Sequence, residues 1–259
     1  MMFEQFKDQE IVWITMINLA YTDFTKNFLE SMKRSNCTFT FIVYCIDDEI
    51  MEVLKSYTNC VCISLKCFLK TAPVSGAVQY GQKDWPVLQY CKLDAMLHAR
   101  QCLREYNVKY VGYLDTDVVL FTDPTVVALN YIREHPSCDF IMQCDEQKQE
   151  CSNKTKCPRF CAGVMIMQTR EEIDYVFKYT EDDFLRNPND QAFLNNNFKK
   201  SKTIQYCTID KEIFMNGAYK FAWNLPVSPN SCLLHFNYIQ GNDRKKNKMK
   251  KMNMWYLPT

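Results

Sequence analysis

The run Lys109-Tyr110-Val111-Gly112-Tyr113-Leu114-Asp115-Thr116-Asp117-Val118-Val119 sets two carboxylates, two residues apart, at the end of an apolar segment. An unpaired anion beside a buried strand is costly, so a cation is expected against Asp115 and Asp117. In extended backbone, residues i and i+2 face one side, and both carboxylates can then converge on one hard ion such as Mn²⁺ or Mg²⁺. Such an ion takes few protein oxygens and fills its shell from phosphate and water. The plainer alternative is a turn whose aspartates only cap a helix. That plainer reading is adopted for Asp123-Pro124, where Asp123 caps a helix with proline at its first position.

Upstream of the motif the chain alternates. Residues 10–17 form an apolar, β-branched run ending at Asn18, after which Phe24, Phe28 and Met32 recur at helical spacing. Residues 38–46 repeat the strand signature and stop at Asp47, followed by a predicted helix over 48–57 and a short strand over 60–65. This alternation predicts a parallel sheet with helices on its faces, whose ligand crevice lies beyond the carboxyl ends of the strands, with Asn18 and Asp47 at its mouth. Residues 66–84 carry Pro73, Gly76 and Gly81 and read as a loop, of a length that often forms a lid. Over 85–106 the positions Leu88, Cys91, Ala95, Ala99 and Cys102 mark a helix stripe with Lys92 at its edge.

Downstream, strands are predicted near 139–143 and 163–168, a helix over 171–185, another after Asn189, and short strands up to His235. A terminal helix is expected from Asp243, anchored by Trp255 and Tyr256.

With 259 residues, 47% of them apolar, the chain can bury one large core. Its 31 basic and 30 acidic residues nearly cancel, so no nucleic-acid partner is expected. The local exception is 244–251, with six basic residues and no acid, read as a solvated helix face or a phosphate, RNA or membrane contact. Neither a basic leader nor a stretch long enough to span a bilayer is read. The 14 cysteines are scattered, mostly within apolar runs, which points to a reducing, cytoplasmic setting. Cys138, Cys144, Cys151, Cys157 and Cys161 form one cluster that can make disulfides or, less readily for want of close pairs, hold zinc.

The motifs taken in order resemble the nucleotide-diphospho-sugar transferases of the GT-A fold, those of glycosyltransferase family 77 and distantly the glycogenin-like family 8. The resemblance runs through Trp13-Ile14-Thr15-Met16-Ile17-Asn18 with Tyr21, the second strand ending at Asp47, Lys92, and Tyr113 to Asp117 followed by Phe121-Thr122-Asp123-Pro124. It continues with Asp139, Asp145, Phe160-Cys161-Ala162-Gly163-Val164, Asn189-Asp190-Gln191-Ala192-Phe193, Phe214-Met215-Asn216-Gly217, and His235-Phe236-Asn237 with Gly241, Lys245 and Trp255. It implies an α/β fold of one domain over 1–259, a GT-A-type Rossmann-like mixed sheet flanked by helices. Residues 1–120 would be the nucleotide-binding half, 121–242 the acceptor and sugar half, and 243–259 a basic C-terminal helix and tail.

The resemblance further implies a metal-dependent transfer of sugar from a nucleotide-diphosphate donor, commonly a UDP-sugar, to a glycan, protein or small-molecule hydroxyl, with retention. Asp115, Asp117 and His235 would hold Mn²⁺ or Mg²⁺. Thr15, Asn18, Tyr21, Asp47, Lys92, Asp115, Thr116, Gly163, Asn237, Gly241 and Lys245 would bind the nucleotide and donor, and Lys92, Asp190 and Gln191 would serve at the reacting sugar. Cys161 stands where these relatives often carry asparagine. Two alternatives remain open to the residues alone: a haloacid-dehalogenase-type phosphatase using Asp115 and Asp117, and a non-catalytic sugar- or RNA-binding module.

Overall fold

The computed structural model describes residues 2–66, 78, 82–145 and 159–258. Strand β1 (Ile11–Ile17) is buried along nearly its whole length, as an apolar run with helices on both faces requires. It pairs in parallel with β2 (Phe41–Cys45), which pairs in parallel with the edge strand β3 (Cys60–Ser64). On its other flank β1 takes β4 (Tyr110–Leu114), again parallel. The chain therefore runs outward from β1 to the edge and returns to the opposite flank. That reversal of strand order opens a crevice beyond the C-terminal ends of β1 and β4, where Asn18 and Asp115 follow directly.

Beyond β4 the sheet changes character. The order is β3-β2-β1-β4-β7-β6-β8, with β6 (Phe140–Cys144), β7 (Phe160–Gln168) and β8 (Tyr206–Ile209). Strand β7 is antiparallel to both β4 and β6, so the sheet is mixed. A second sheet, β5-β10-β9, joins β5 (Val118–Leu120), β9 (Phe214–Met215) and β10 (Leu233–His235). Its antiparallel register sets His235 opposite Val118, and Phe236 N donates to Asp117 O at 2.9 Å. Residues 118 positions apart in sequence are thereby held side by side (235 minus 117).

One face of the main sheet is covered by α3 (Trp85–Glu105) and α6 (Asp190–Lys200). The other is covered by α1 (Thr22–Arg34), α2 (Asp48–Leu54) and α4 (Pro124–Glu134). The Asp123 cap is present, its carboxylate accepting from Thr125 N at 2.7 Å. Helix α7 (Asn242–Lys251) seats Met249 against the small sheet and Phe24. The tail after it is tied down by Asn27, which donates to Met254 O at 3.0 Å and accepts from Tyr256 N at 2.6 Å, while Trp255 meets Phe24 edge-on at 5.5 Å. Among the described residues no helix is long and apolar enough to cross a membrane.

Two expectations are corrected. The helix expected over 171–185 is instead a 3₁₀ segment, Glu171–Phe177, and a separate α5 (Glu181–Arg186). Thr180 between them is extended and closes a capping box with Asp183, which starts a new helix rather than continuing the old one. Asp174 in the first piece is drawn inward to Arg100 and Arg104. Lys92, expected at the edge of the helix stripe, is only 4% exposed, because α3 lies between the sheet and α6 and is buried on more than one side. Most of the loop expected over 66–84 lies outside the described residues.

Candidate active site

The crevice is a cleft of about 510 Å³. The end of β1 contributes Asn18 and Tyr21, and the turn after β4 contributes Asp115, Thr116 and Asp117. Strand β7 brings Gly163, α3 brings Lys92, the start of α6 brings Asp190 and Gln191, and the segment from β10 into α7 brings His235, Asn237, Gly241 and Lys245.

Asp115, Asp117 and His235 offer ligand atoms that all lie within 4.8 Å of one another. His235 Nε2 is 3.1 Å from Asp117 Oδ1 and 3.7 Å from Asp115 Oδ2. It is nevertheless a buried atom without an aligned hydrogen-bond partner. The other ring nitrogen, Nδ1, faces Gln143 Oε1 at 3.1 Å. The Gln143 amide cannot turn around, because its Nε2 donates to Phe214 O at 3.1 Å and its Oε1 accepts from Asn216 at 3.2 Å. Gln143 therefore keeps a proton on Nδ1 and aims Nε2 at the carboxylates, so that once His235 is neutral its Nε2 lone pair has the orientation a metal ligand needs. An imidazole and two carboxylates with the remaining positions open suit a divalent ion that also takes phosphate oxygens.

Gly163 makes this convergence possible. A Cβ there would stand 2.3 Å from His235 Cε1 and 2.4 Å from Asp115 Oδ2. The resemblance places this glycine at the donor; its first consequence is room for two of the three candidate ligands.

Around the triad, acids and bases alternate. Lys92 Nζ lies 3.1 Å from Asp115 Oδ1, 3.3 Å from Asp190 Oδ2 and 4.4 Å from the centre of the Tyr113 ring. Lys245 Nζ contacts Asp117 Oδ2 directly. Burial opposes the charge on Lys92, but Asp115 and Asp190 outweigh it and raise its pKa above the ordinary lysine value. Burial likewise opposes ionisation of Asp117, yet Lys245 and His235 hold its carboxyl well below the usual range. His235 is pushed up to about 10, burial being overcome by Asp117. Without a bound ion, a proton on His235 and two ammonium groups balance the carboxylates, and an ion entering must displace positive charge. Asp190, raised by burial with Lys92 working against it, is committed to holding that lysine.

Gln191 is fixed at both ends: its Oε1 accepts from Ala162 N at 3.2 Å, and its Nε2 donates to Asp145 Oδ2 at 2.8 Å. The helix cap at this point is Asn189, which accepts from Ala192 N, and not Asp190. Two expected residues do not reach the cleft. Thr15 is fully buried two residues short of the end of β1, inside the sheet. Asp47 is 3% exposed and accepts from Leu19 N at 3.0 Å, bracing from behind the turn that carries Tyr21.

The structure adds residues to the site. Asp145 joins Gln191, Asn216 at 3.2 Å and Arg159 at 3.5 Å. Cys161 lies in the cleft wall, its sulfur 3.7 Å from His235 Nδ1 and accepting from Asn237 Nδ2 at 3.5 Å. Trp85 stands 6.2 Å from Tyr21, ring centre to ring centre. A polar Gln143 inside an otherwise apolar strand was the one legible signal for the residue that orients His235. Of the cysteine cluster, Cys138 and Cys161 are free and Cys144 is disulfide-bonded, while Cys151 and Cys157 lie outside the described residues.

Solved glycosyltransferases share this architecture. The glycosyltransferase GlyE of Streptococcus pneumoniae TIGR4 matches with a TM-score of 0.59 at 14% identity over 95% of this chain, which spans 60% of that one. The galactosyltransferase LgtC, in complex with donor and acceptor sugar analogs, matches with a TM-score of 0.57 at 12% identity, covering 95% of this chain and 97% of its own. Mouse xyloside xylosyltransferase 1 gives 0.58 at 10% identity, covering 90% and 99%. The fold, with its cleft at the switch between β1 and β4, is that of the GT-A glycosyltransferases. No curated protein matches the chain by sequence. Residues 36–252 match the model of the nucleotide-diphospho-sugar transferases, and the chain belongs to that family. It is therefore an enzyme of sugar transfer from a nucleotide-sugar, which displaces the phosphatase and non-catalytic readings.

Proposed function

We propose that the chain transfers a sugar from a uridine diphosphate donor to a hydroxyl of a glycan, protein or small molecule, with a divalent ion held by Asp115, Asp117 and His235. The observation that carries the reading is the meeting of these three ligand atoms around a buried imidazole nitrogen that has no aligned hydrogen-bond partner. Bound there, Mn²⁺ or Mg²⁺ supplies a Lewis acid that neutralises charge on the departing diphosphate.

The protein's own groups do the rest. Asn18, Tyr21 and Thr116 line the end of the cleft suited to the nucleoside, with the Tyr21 and Trp85 rings offering faces to a base. Thr15 and Asp47 serve behind this wall, as its support. Lys245 and the backbone at Gly241 receive the phosphates, Lys92 holds Asp115 and reaches toward the sugar, and Asn237 and Gly163 border the same space. Positive charge fixed in advance near a developing diphosphate is the arrangement that lowers such a barrier. Retention is part of the proposal. Its support is the resemblance. A reducing setting is favoured by the ten cysteines without a disulfide among the described residues, with the Cys144 disulfide standing against it.

Thermal denaturation of the purified chain with UDP, GDP and their sugar conjugates, with and without Mn²⁺, tests the reading. Saturating ligand at 100 times its Kd stabilises by about 2.7 kcal/mol. Stabilisation by one nucleotide that requires Mn²⁺ and vanishes in Asp117→Ala supports it. Equal stabilisation with and without the ion refutes the metal assignment.

A further inference from the structure

We propose that Lys245 is a place-holder for the divalent ion: in the donor-free protein its ammonium occupies Asp117, and the donor's diphosphate draws it away, so ion and donor bind as a coupled pair. This rests on the reading of Asp115, Asp117 and His235 as the ion's ligands.

Both oxygens of Asp117 are engaged. Lys245 Nζ contacts Oδ2, and Oδ1 faces His235 Nε2 at 3.1 Å. An ammonium and a divalent cation cannot share one buried carboxylate without strong repulsion, since charge interactions a few ångströms apart are poorly screened there. For the ion to take Asp117 with full affinity, Lys245 must leave.

It has the means to do so. The candidate ligands sit on the turn after β4 and at the end of β10, whereas Lys245 comes from α7 on a flexible four-carbon stem that lines the cleft. Among the described residues its ammonium has a single acidic partner, Asp117. Lys92 differs. It is held between Asp115 and Asp190 over the Tyr113 ring, so it has no reason to move when one partner is taken.

The destination is also built. The first turn of α7 opens on the same cleft through Gly241 and Asn242, and its cap residue Gly241 satisfies no first-turn N–H with a side chain. Gly241 has φ +85, which swings the chain into the helix with its N-terminus toward the cleft. Unsatisfied N–H groups at a helix start favour phosphate, and Lys245, one turn in, is within reach of an anion seated there. A diphosphate thus offers Lys245 a replacement for Asp117 and frees Asp117 for the ion. By linkage the effect is reciprocal: bound ion strengthens the diphosphate by the same factor.

The experiment is a calorimetric titration of Mn²⁺ into wild type, Lys245→Met and Lys245→Arg, alone and with whichever of UDP and GDP raises the melting temperature. In Lys245→Met, Mn²⁺ alone should bind at least tenfold more tightly than in wild type, and the further gain from nucleotide should shrink. Lys245→Arg, which keeps the charge, should bind Mn²⁺ alone no more tightly than wild type, showing that the gain in Lys245→Met follows the loss of charge. If Lys245→Met binds Mn²⁺ alone no more tightly than wild type, while nucleotide still promotes Mn²⁺ binding that Asp117→Asn abolishes, the place-holder is refuted and the ion site stands. If wild type binds no Mn²⁺ under any condition, the ion-ligand reading falls and this inference with it.

Discussion

Replacing Gly163 by alanine adds one methyl group at the point where two candidate metal ligands meet. The new Cβ would lie 2.3 Å from His235 Cε1 and 2.4 Å from Asp115 Oδ2. Ordinary nonbonded separations are about 3.5 Å, so something must retreat by roughly 1 Å. The backbone of β7 is not free to move, since Gly163 O accepts from Asp115 N at 2.7 Å within the β4–β7 ladder. His235 is 1% exposed and held by Gln143, whereas the Asp115 side chain is 34% exposed. Asp115 can swing toward solvent and leave the triad, but the clash with the buried His235 ring remains, so His235 is displaced as well. A displacement of about 1 Å costs on the order of 100-fold in turnover, and forcing a buried, hydrogen-bonded ring aside puts the stability loss within the roughly 1–3 kcal/mol range for overpacking.

Mn²⁺ calorimetry, donor turnover and thermal denaturation measure all three. Gly241→Ala is the control for stability alone: nothing lies within 4 Å of its added Cβ, and only the positive φ of +85 resists, at about 1–3 kcal/mol. A Gly163→Ala protein that binds Mn²⁺ and turns over donor within threefold of wild type would refute the argument that this glycine exists to admit the triad.

Three further outcomes are expected. Asp117→Ala should lower turnover by about a thousandfold, near 4 kcal/mol of barrier, and chelation of wild type should do the same reversibly, read as donor turnover with and without added Mn²⁺. Gln143→Leu leaves the His235 tautomer unset and should weaken Mn²⁺ binding about 10- to 100-fold with little effect on nucleotide binding without metal, as calorimetry can show. Arg100→Met, far from the cleft, removes one of the two arginines that hold the buried Asp174 and the donor to the carbonyls of Gln168 and Arg170, and should cost about 1–3 kcal/mol in denaturant unfolding while sparing the Mn²⁺ affinity of the folded fraction.

Local pattern carried much of this protein. The buried runs of β1, β2 and β4, the helix stripe of α3 and the Asp123 cap all follow from periodicity and turn chemistry, which act between near neighbours and are therefore written in near neighbours. The Asp115 and Asp117 pair marked a candidate ion site at the end of a strand for the same reason. His235 was legible only through the order of motifs around it, because a histidine after Cys232-Leu233-Leu234 has no local mark of a ligand. Tertiary structure decided what depends on register and on layers. The antiparallel β5–β10 pairing sets His235 beside Asp117, and the β4–β7 ladder puts Gly163 under Asp115. The placing of α3 between the sheet and α6 buries Lys92, which its own helix alone would leave at an edge. Burial and close approach are properties of which surfaces meet, and strands pair with partners that no short stretch of sequence names.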